Sequence, residues 1–378
     1  MERKSVILLF LFILTGSALN AQIRSISVIS EAKKQGTNQS TRLVLANPAE
    51  KQSKKKNGAE DFVLYREVVR KYTWFEGVGA PISQEVANYL PFYYKMSMKN
   101  ENGHWQHIEA MHQDKMTTRH KQTTYVLDKQ NDDDGNNKEW IDKLRTVAQW
   151  FITSDLDGDE VVEERAYTDQ GDLVYSFMPI KNADGRITGS YNDAWGLPAD
   201  MREDPAATYG SVVCITYDKC GRDSIIDFLD GQGLRKYNSN GVDQQRYIYD
   251  DKDRVVLVTS HNMVGDYIID NWGNCGNRYV YDDVNNKYSI IRVDKELKPM
   301  RMPSTRADGT RTFIRCDIKR DVWGRDVEAI MLDADGRADA TNTGIHKIMH
   351  QYDNTGNILS TLYYGLDGQM VNKEKAFK

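Results

Sequence analysis

From Ile152 onward, short apolar-rich runs are interrupted at close intervals by turn residues. Val255-Val256-Leu257-Val258 and Tyr288-Ser289-Ile290-Ile291-Arg292-Val293 are two of the runs. Asp155-Leu156-Asp157-Gly158, Asn182-Ala183-Asp184-Gly185, Asp230-Gly231, Asn240-Gly241, Asp333-Ala334-Asp335-Gly336 and Asp367-Gly368 are among the interruptions. Asp and Asn close their own turns with side-chain hydrogen bonds, and glycine accepts the positive φ that many such turns need. The pattern predicts strands and tight turns from Ile152 onward.

A longer period overlies the short one. Tyr217-Asp218, Tyr249-Asp250, Tyr281-Asp282 and Tyr352-Asp353 each open a turn, and Asp218, Asp250 and Asp282 are spaced by 32 residues. Asp321, in Asp321-Val322-Trp323-Gly324-Arg325, lies 39 residues further on, and Asp353 another 32. A period in this range marks stacked supersecondary units, because one short hairpin cannot bury a face alone. The predicted fold is mainly β: residues 152–378 form an array of short antiparallel β-hairpin repeats, in an extended or coiled sheet with a tyrosine-rich inner row.

Residues 61–151 predict a small mixed α/β region. Phe62, Val63, Tyr65, Val68 and Val69 recur at helical spacing, and a second short helix is expected from Ser83, as cap, to Leu90 before Pro91. Phe92 to Lys99 and His104 to Ala110 predict a hairpin about Asn100-Glu101-Asn102-Gly103. Trp140, Ile141, Leu144, Val147, Trp150 and Phe151 predict a helix over 139–151.

The start of the chain suggests a compartment. Arg3 and Lys4 precede an uncharged run from Val6 to Thr15, followed by small residues Gly16, Ser17, Ala18 and Ala21, so 1–21 is expected to be an export signal. No other stretch is long and apolar enough to predict a membrane span. Residues 22–60, polar and with the basic run Lys51 to Asn57, are expected to be a flexible leader. The expected location is therefore exported: periplasmic, cell-surface or secreted.

Composition narrows the classes. The 378 residues are 40% hydrophobic and 28% charged, a globular balance, with 21 Tyr against 10 Phe. Removing 1–21 takes away Arg3, Lys4 and Glu2, a net +1, so the formal charge moves from −5 to −6. A small, dispersed negative excess argues against nucleic-acid binding, which needs a concentrated basic face. Export permits disulfides among Cys214, Cys220, Cys275 and Cys316, with all three pairings open. Cys214 with Cys220, and Cys275 with Cys316, would each suit a bond.

Candidate chemistry is sparse. Asp155, Asp157 and Asp159 alternate as oxygen ligands in a loose calcium site would, but neither Gly158 nor Gly135 fits the sixth position of an EF-hand loop. His346 and His350 lack the Glu that follows the first His of a zincin. Ser190 and Ser211 lack the flanking glycines of a nucleophile elbow. Paired carboxylates of a polysaccharide hydrolase remain as the enzymatic alternative. No cofactor is implied. Trp195, Trp272 and Trp323 stand beside turns, and with rings on one side they would form an aromatic face for a glycan or peptide, which Tyr93 and Trp105 would extend.

The units from Tyr217 onward, above all Tyr249-Asp250 to Arg254 and Tyr352-Asp353-Asn354-Thr355-Gly356-Asn357-Ile358-Leu359, resemble the tyrosine-aspartate repeats of bacterial exported and surface proteins, the group that includes Rhs-type shells. Trp-Gly pairs at 195–196, 272–273 and 323–324 resemble tryptophan-glycine repeats. With the leader, the chain is similar to exported proteins of the Bacteroides and Prevotella kind, the repeat likeness covering roughly 152–371. Arg320-Asp321 replaces Tyr-Asp, and Asn285-Asn286 replaces the usual glycine. The resemblance implies a β-rich scaffold engaged in surface contact or carbohydrate binding, and it supplies no catalytic residue. The expected role is an exported, non-catalytic scaffold or binding module for an envelope, protein or glycan partner. The further alternative is a purely structural protein that self-associates through its last strand edge, unless Lys373, Lys375 and Lys378 discourage pairing there.

Overall fold

The computed structural model describes residues 62–118, 124–126, 144–193, 196–198, 211–238, 240–271, 273–300, 304–305, 311–341 and 343–371. The expected signal and leader lie outside these residues, as do Trp195 and Trp272.

The described residues begin with three short strands, β1 (Phe62–Tyr65), β2 (Val68–Lys71) and β3 (Trp74–Gly77). One helical turn, α1 (Gln84–Ala87), follows, with the Ser83 side chain accepting from the Val86 N–H as its cap. Next come β4 (Tyr93–Lys99), β5 (Trp105–His112), β6 (Lys115–Met116), β7 (Thr124–Val126), β8 (Leu144–Thr146) and β9 (Gln149–Ser154). Strands β10 (Val161–Tyr167), β11 (Leu173–Lys181) and β12 (Ile187–Asn192) lead into the periodic part. There the hairpin arms are β13 (Val212–Tyr217) with β14 (Asp223–Leu229), β15 (Gln244–Tyr249) with β16 (Val255–His261), and β17 (Gly276–Asp282) with β18 (Lys287–Val293). After a small ribbon of β19 (Ser304–Thr305) and β20 (Arg311–Thr312), β21 (Arg315–Arg320) pairs with β22 (Asp326–Leu332), and β23 (Lys347–Tyr352) with β24 (Ile358–Tyr364).

Eighteen of these strands share one sheet. Every pairing in it is antiparallel, in the order β1, β4, β5, β9 and β10, then sequentially through β18 and from β21 to β24, with β6 folded onto the end of β5. The mainly β repeat architecture expected from the sequence is therefore present. Aromatic residues line its interior: Trp74, Phe75, Trp150, Tyr175, Phe177, Tyr191, Tyr247 and Tyr279 belong to one buried cluster.

Two expected helices are strands instead. Residues 62–71 make β1 and β2, whose partners are Tyr94 to Ser97 and Trp74 to Gly77. Within 139–151 the described residues form β8 and the start of β9. β9 lies between β5 and β10 and buries Trp150 and Ile152 on one face. Two sheet neighbours give β9 backbone and side-chain partners that an isolated helical periodicity does not reveal. The expected short helix at Ser83 and the hairpin about Asn100–Gly103 are present.

The four cysteines are free thiols, so the suggested disulfides are absent. Cys214, Cys275 and Cys316 are buried and Cys220 is exposed. Cys214 faces Asp227 across a mid-strand pair, whereas Cys220 stands in the turn beyond, which separates that pair of sulfurs.

Candidate functional site

The tyrosine-aspartate turns act as clasps between successive units. Asp218 starts its turn by taking the Cys220 and Arg222 N–H groups on Oδ1, at 2.8 and 3.0 Å. Gly221, at φ 81°, closes it. Asp250 binds the N–H groups of Lys252 and Arg254 in the same way, and Asp321 those of Trp323 and Arg325. The arginine four residues after each aspartate turns back on it, with Nε 2.8, 2.8 and 2.6 Å from Oδ2 of Asp218, Asp250 and Asp321.

The same arginines reach into the next unit. Arg222 lies over the Tyr249 ring at 4.7 Å, Arg254 over Tyr281 at 4.0 Å and Arg325 over Tyr352 at 4.7 Å. Each tyrosine hydroxyl donates backwards, to the carbonyl just after that arginine: Tyr249 to Asp223, Tyr281 to Val255 and Tyr352 to Asp326, at 2.9 to 3.0 Å. Arg222 also donates to Asp250 O and Asp253, Arg254 to Asp283, and Arg325 to Asp353 O. Burial pushes the Tyr281 and Tyr352 phenols up, and hydrogen bonds from Arg254 and Lys252 hold Asp283 at about 2. Hydrogen bonds to charged groups are stronger than neutral ones, and a cation over a ring adds to them.

Where the motif departs, the clasp changes hands. Arg320, in the position of the tyrosine, lies 4.5 Å over Tyr288 and binds Asp326. At Asp353 the arginine is replaced by Asn357, whose amide folds back onto Asp353 and Thr355.

Residues 62–116 run across this row of turns. Tyr72 N–H donates to Gly221 O at 2.8 Å, and Lys71 pairs with Asp253 at 2.9 Å. Arg66 donates to Trp323 O, and Tyr89 stacks on the Trp323 ring, with centroids 4.1 Å apart. Arg325 also donates to Tyr89 O, and Gln113 donates to Thr355 O. Beneath this strap, Arg70 forms a 2.5 Å pair with the fully buried Glu164, which also accepts from Tyr175.

Of the residues expected to bind ligand, Trp195 and Trp272 lie outside the described residues, and the others are engaged within the fold. Trp323 is held between Tyr89 and the Leu64, Ala87, Leu90, Tyr93 and Met111 cluster, so its ring serves the strap. Tyr93 is 1% exposed, with its hydroxyl on Asp114, and presents no ring face to solvent. Trp105 is half-buried beneath Lys99 Nζ at 4.2 Å. Asp155 Oδ1 caps the N–H groups of Asp159 and Glu160, while Asp157 O and Asp159 Oδ1 receive Asn102 Nδ2, so this loop holds the Asn100–Gly103 turn. Among the described residues, no three His, Cys, Asp or Glu side chains gather as metal ligands. No helix among them is long and apolar enough to cross a membrane.

Another exposed surface lies at the far ends of the hairpins, where Asp230 and Asn262 build turns with the same side-chain caps. Arg235 laces the two together by donating to Met263 O at 2.7 Å, over its ion pair with the buried Asp227. Leu234, Tyr237, Met263, Val264, Tyr267 and Ile269 all stand exposed here, Val264 by 80%. Their signal was present in the sequence, since Tyr237 and Ile269 occupy equivalent places 32 residues apart.

No family model matches the sequence. No curated protein sequence matches it. Among solved structures, the chain is similar to one titled "Crystal Structure of TcdB2-TccC3", at 13% identity and a TM-score of 0.26. The match covers 77% of this chain and 15% of that one. At such a score the likeness carries no argument about role.

Proposed function

We propose that this protein is an exported, non-catalytic repeat scaffold whose hairpin ends bind a protein partner in the bacterial envelope. The observation that carries this reading is the apolar row of Leu234, Tyr237, Met263, Val264, Tyr267 and Ile269, exposed on two consecutive units that Arg235 locks in register. Contiguous exposed apolar surface with a polar rim is the usual character of a protein-binding site. The aliphatic members favour a protein over a glycan, because they offer neither a flat ring to stack on a sugar nor a hydrogen bond to its hydroxyls. Clasped turns on the opposite ends keep such a row rigid, so little ordering is needed on binding.

The test is quantitative crosslinking of the purified protein to solubilised envelope proteins, with a Tyr237→Ser, Val264→Ser, Ile269→Ser variant in parallel. A specific adduct lost in the variant, with an unchanged thermal melt, supports the reading. No adduct, or equal recovery from both proteins, overturns it.

A further inference from the structure

We propose that Asp243 is a proton-operated latch beneath the apolar row: its neutral form holds the two loops of the row in register, and its ionised form releases them. The inference rests on the reading of that row as a docking surface and adds how docking is regulated. Asp243 is 0% exposed, and neither of its carboxylate oxygens meets a hydrogen-bond donor. The Tyr237 hydroxyl and the Met263 N–H stand on its side, short of hydrogen-bond geometry, and both residues belong to the row. Asn238 Nδ2, in the same loop, is likewise buried without an acceptor. A carboxyl in such a place is tolerated neutral and costly when charged. Burial raises its pKa above the ordinary 3.8, Arg235 opposes the rise, and Asp227 adds to it.

The lacing arginine is what the new charge would draw. Arg235 spans the two units, with one nitrogen 3.0 Å from Asp227 Oδ1 and another donating to Met263 O at 2.7 Å. Asp227 is itself buried and accepts from Gln244 at 2.6 Å. Ionisation of Asp243 sets a second carboxylate against Asp227, with Arg235 as the cation that acts on both. An arginine turned toward Asp243 gives up the Met263 carbonyl, and hydration of the carboxylate opens the loops instead. By either route the row loses its register. Acid and arginine also occur together. Where Asp243 O receives the Phe228 N–H, the equivalent carbonyls belong to Ser211, Cys275, Ile314 and His346. Where Arg235 bridges Leu229, the equivalent residues are Pro198, Tyr267, Pro299, Ala338 and Met370. Among these equivalent places the acid and the arginine fall in a single unit, the one that bears Leu234 and Tyr237. Further out stand Arg186, 3.9 Å from Asp227, Arg246 on Gln244, and His261 with Asp266 in the next unit.

A carboxyl whose pKa is raised in the ordered state gives local stability that is greatest at low pH and falls as pH rises past 3.8. The experiment is amide hydrogen exchange of the full chain from about pH 4 to about pH 7, corrected for the intrinsic pH dependence of exchange, with β21 and β22 as the reference. Asp243→Asn and Asp243→Ser are run beside the wild type, the second taking the residue of the equivalent Ser211. His261 and the other charged neighbours are the same in all three proteins and cancel in the comparison. The expected result is protection of 231–237 and 263–269 that falls at least about tenfold over this range in the wild type and less than about twofold in the variants. Constant protection in the wild type, or an equal fall in the variants, overturns the proposal. Exchange is measured without a partner, so a failed latch leaves the docking surface to the crosslinking experiment, and a failed crosslink leaves the latch standing.

Discussion

The guanidinium of Arg222 lies 4.7 Å from the centre of the Tyr249 ring, so the arginine of one unit rests on the tyrosine of the next. The tyrosine answers through its hydroxyl, which donates back to Asp223 O. This reciprocity gives the spacing a physical meaning. Aspartate shapes the turn, arginine leaves it at a fixed height, and tyrosine receives it one period later.

The clasp at Arg254 and Tyr281 gives a graded prediction. Tyr281→Phe removes one hydrogen bond and leaves Val255 O without that donor, for about 1 kcal/mol. Arg254→Met removes bonds to Asp250 and Asp283 as well as the ring contact, for about 2–3 kcal/mol. Urea unfolding of both variants measures the difference, and equal costs would show that the arginine adds nothing beyond the hydroxyl.

Gly356 tests the strap. A Cβ there would sit 2.5 Å from the backbone of Leu90, at φ 79°. Gly344 has a similar φ of 81° but open space about it. Gly344→Ala should cost about 1 kcal/mol from backbone strain alone, and Gly356→Ala at least about 2 kcal/mol more, because backbone cannot yield as a side chain does. Thermal melts that rank the two variants equally would remove the close approach as a constraint.

The buried pair of Arg70 and Glu164 should respond asymmetrically. Arg70→Met alone leaves a fully buried carboxylate without its partner, a loss of about 3–5 kcal/mol. Replacing both, as Arg70→Met with Glu164→Leu, removes the charge with its partner and should recover at least half of that loss. Guanidinium unfolding of the single and double variants checks the sign.

His350 predicts acid sensitivity. Burial lowers its pKa from 6.5 to about 4, so between those values the unfolded chain binds more protons than the folded one. Stability from this group is full above pH 6.5 and falls as pH drops toward 4. Between about pH 6.5 and 4.5, wild type should lose roughly 1–2 kcal/mol more than His350→Gln in urea titrations. His107 and His261, also lowered by burial, remain in both proteins and cancel in the comparison.

The sequence discloses the periodic half because its signals are local. Asp250 caps residues two and four positions on, so turn chemistry appears within one short window. The strap was not legible, since its determinants are distant. Val68 and Val69 had helical neighbours in sequence, but Trp74 to Gly77 takes them as a strand, and Arg70 beside them meets Glu164, 94 residues away. Trp323 looked like a surface aromatic for want of Tyr89, its stacking partner. The clasp arginines were visible at a constant interval from aspartate, yet only the ring one unit later explains them.

The strap sets how many repeats lie between its two ends. Its two ends sit on the turns at Gly221 and Thr355, and Arg66 and Tyr89 meet Trp323 between them. Duplication of one unit in the gene would carry the last turn away from Gln113 and Leu90, and loss of one would draw it short. Tandem repeats usually expand and contract by unequal crossing-over. In this protein a recombinant with a unit gained or lost between those ends would lose the docking at one of them, so strap length and repeat number are coupled.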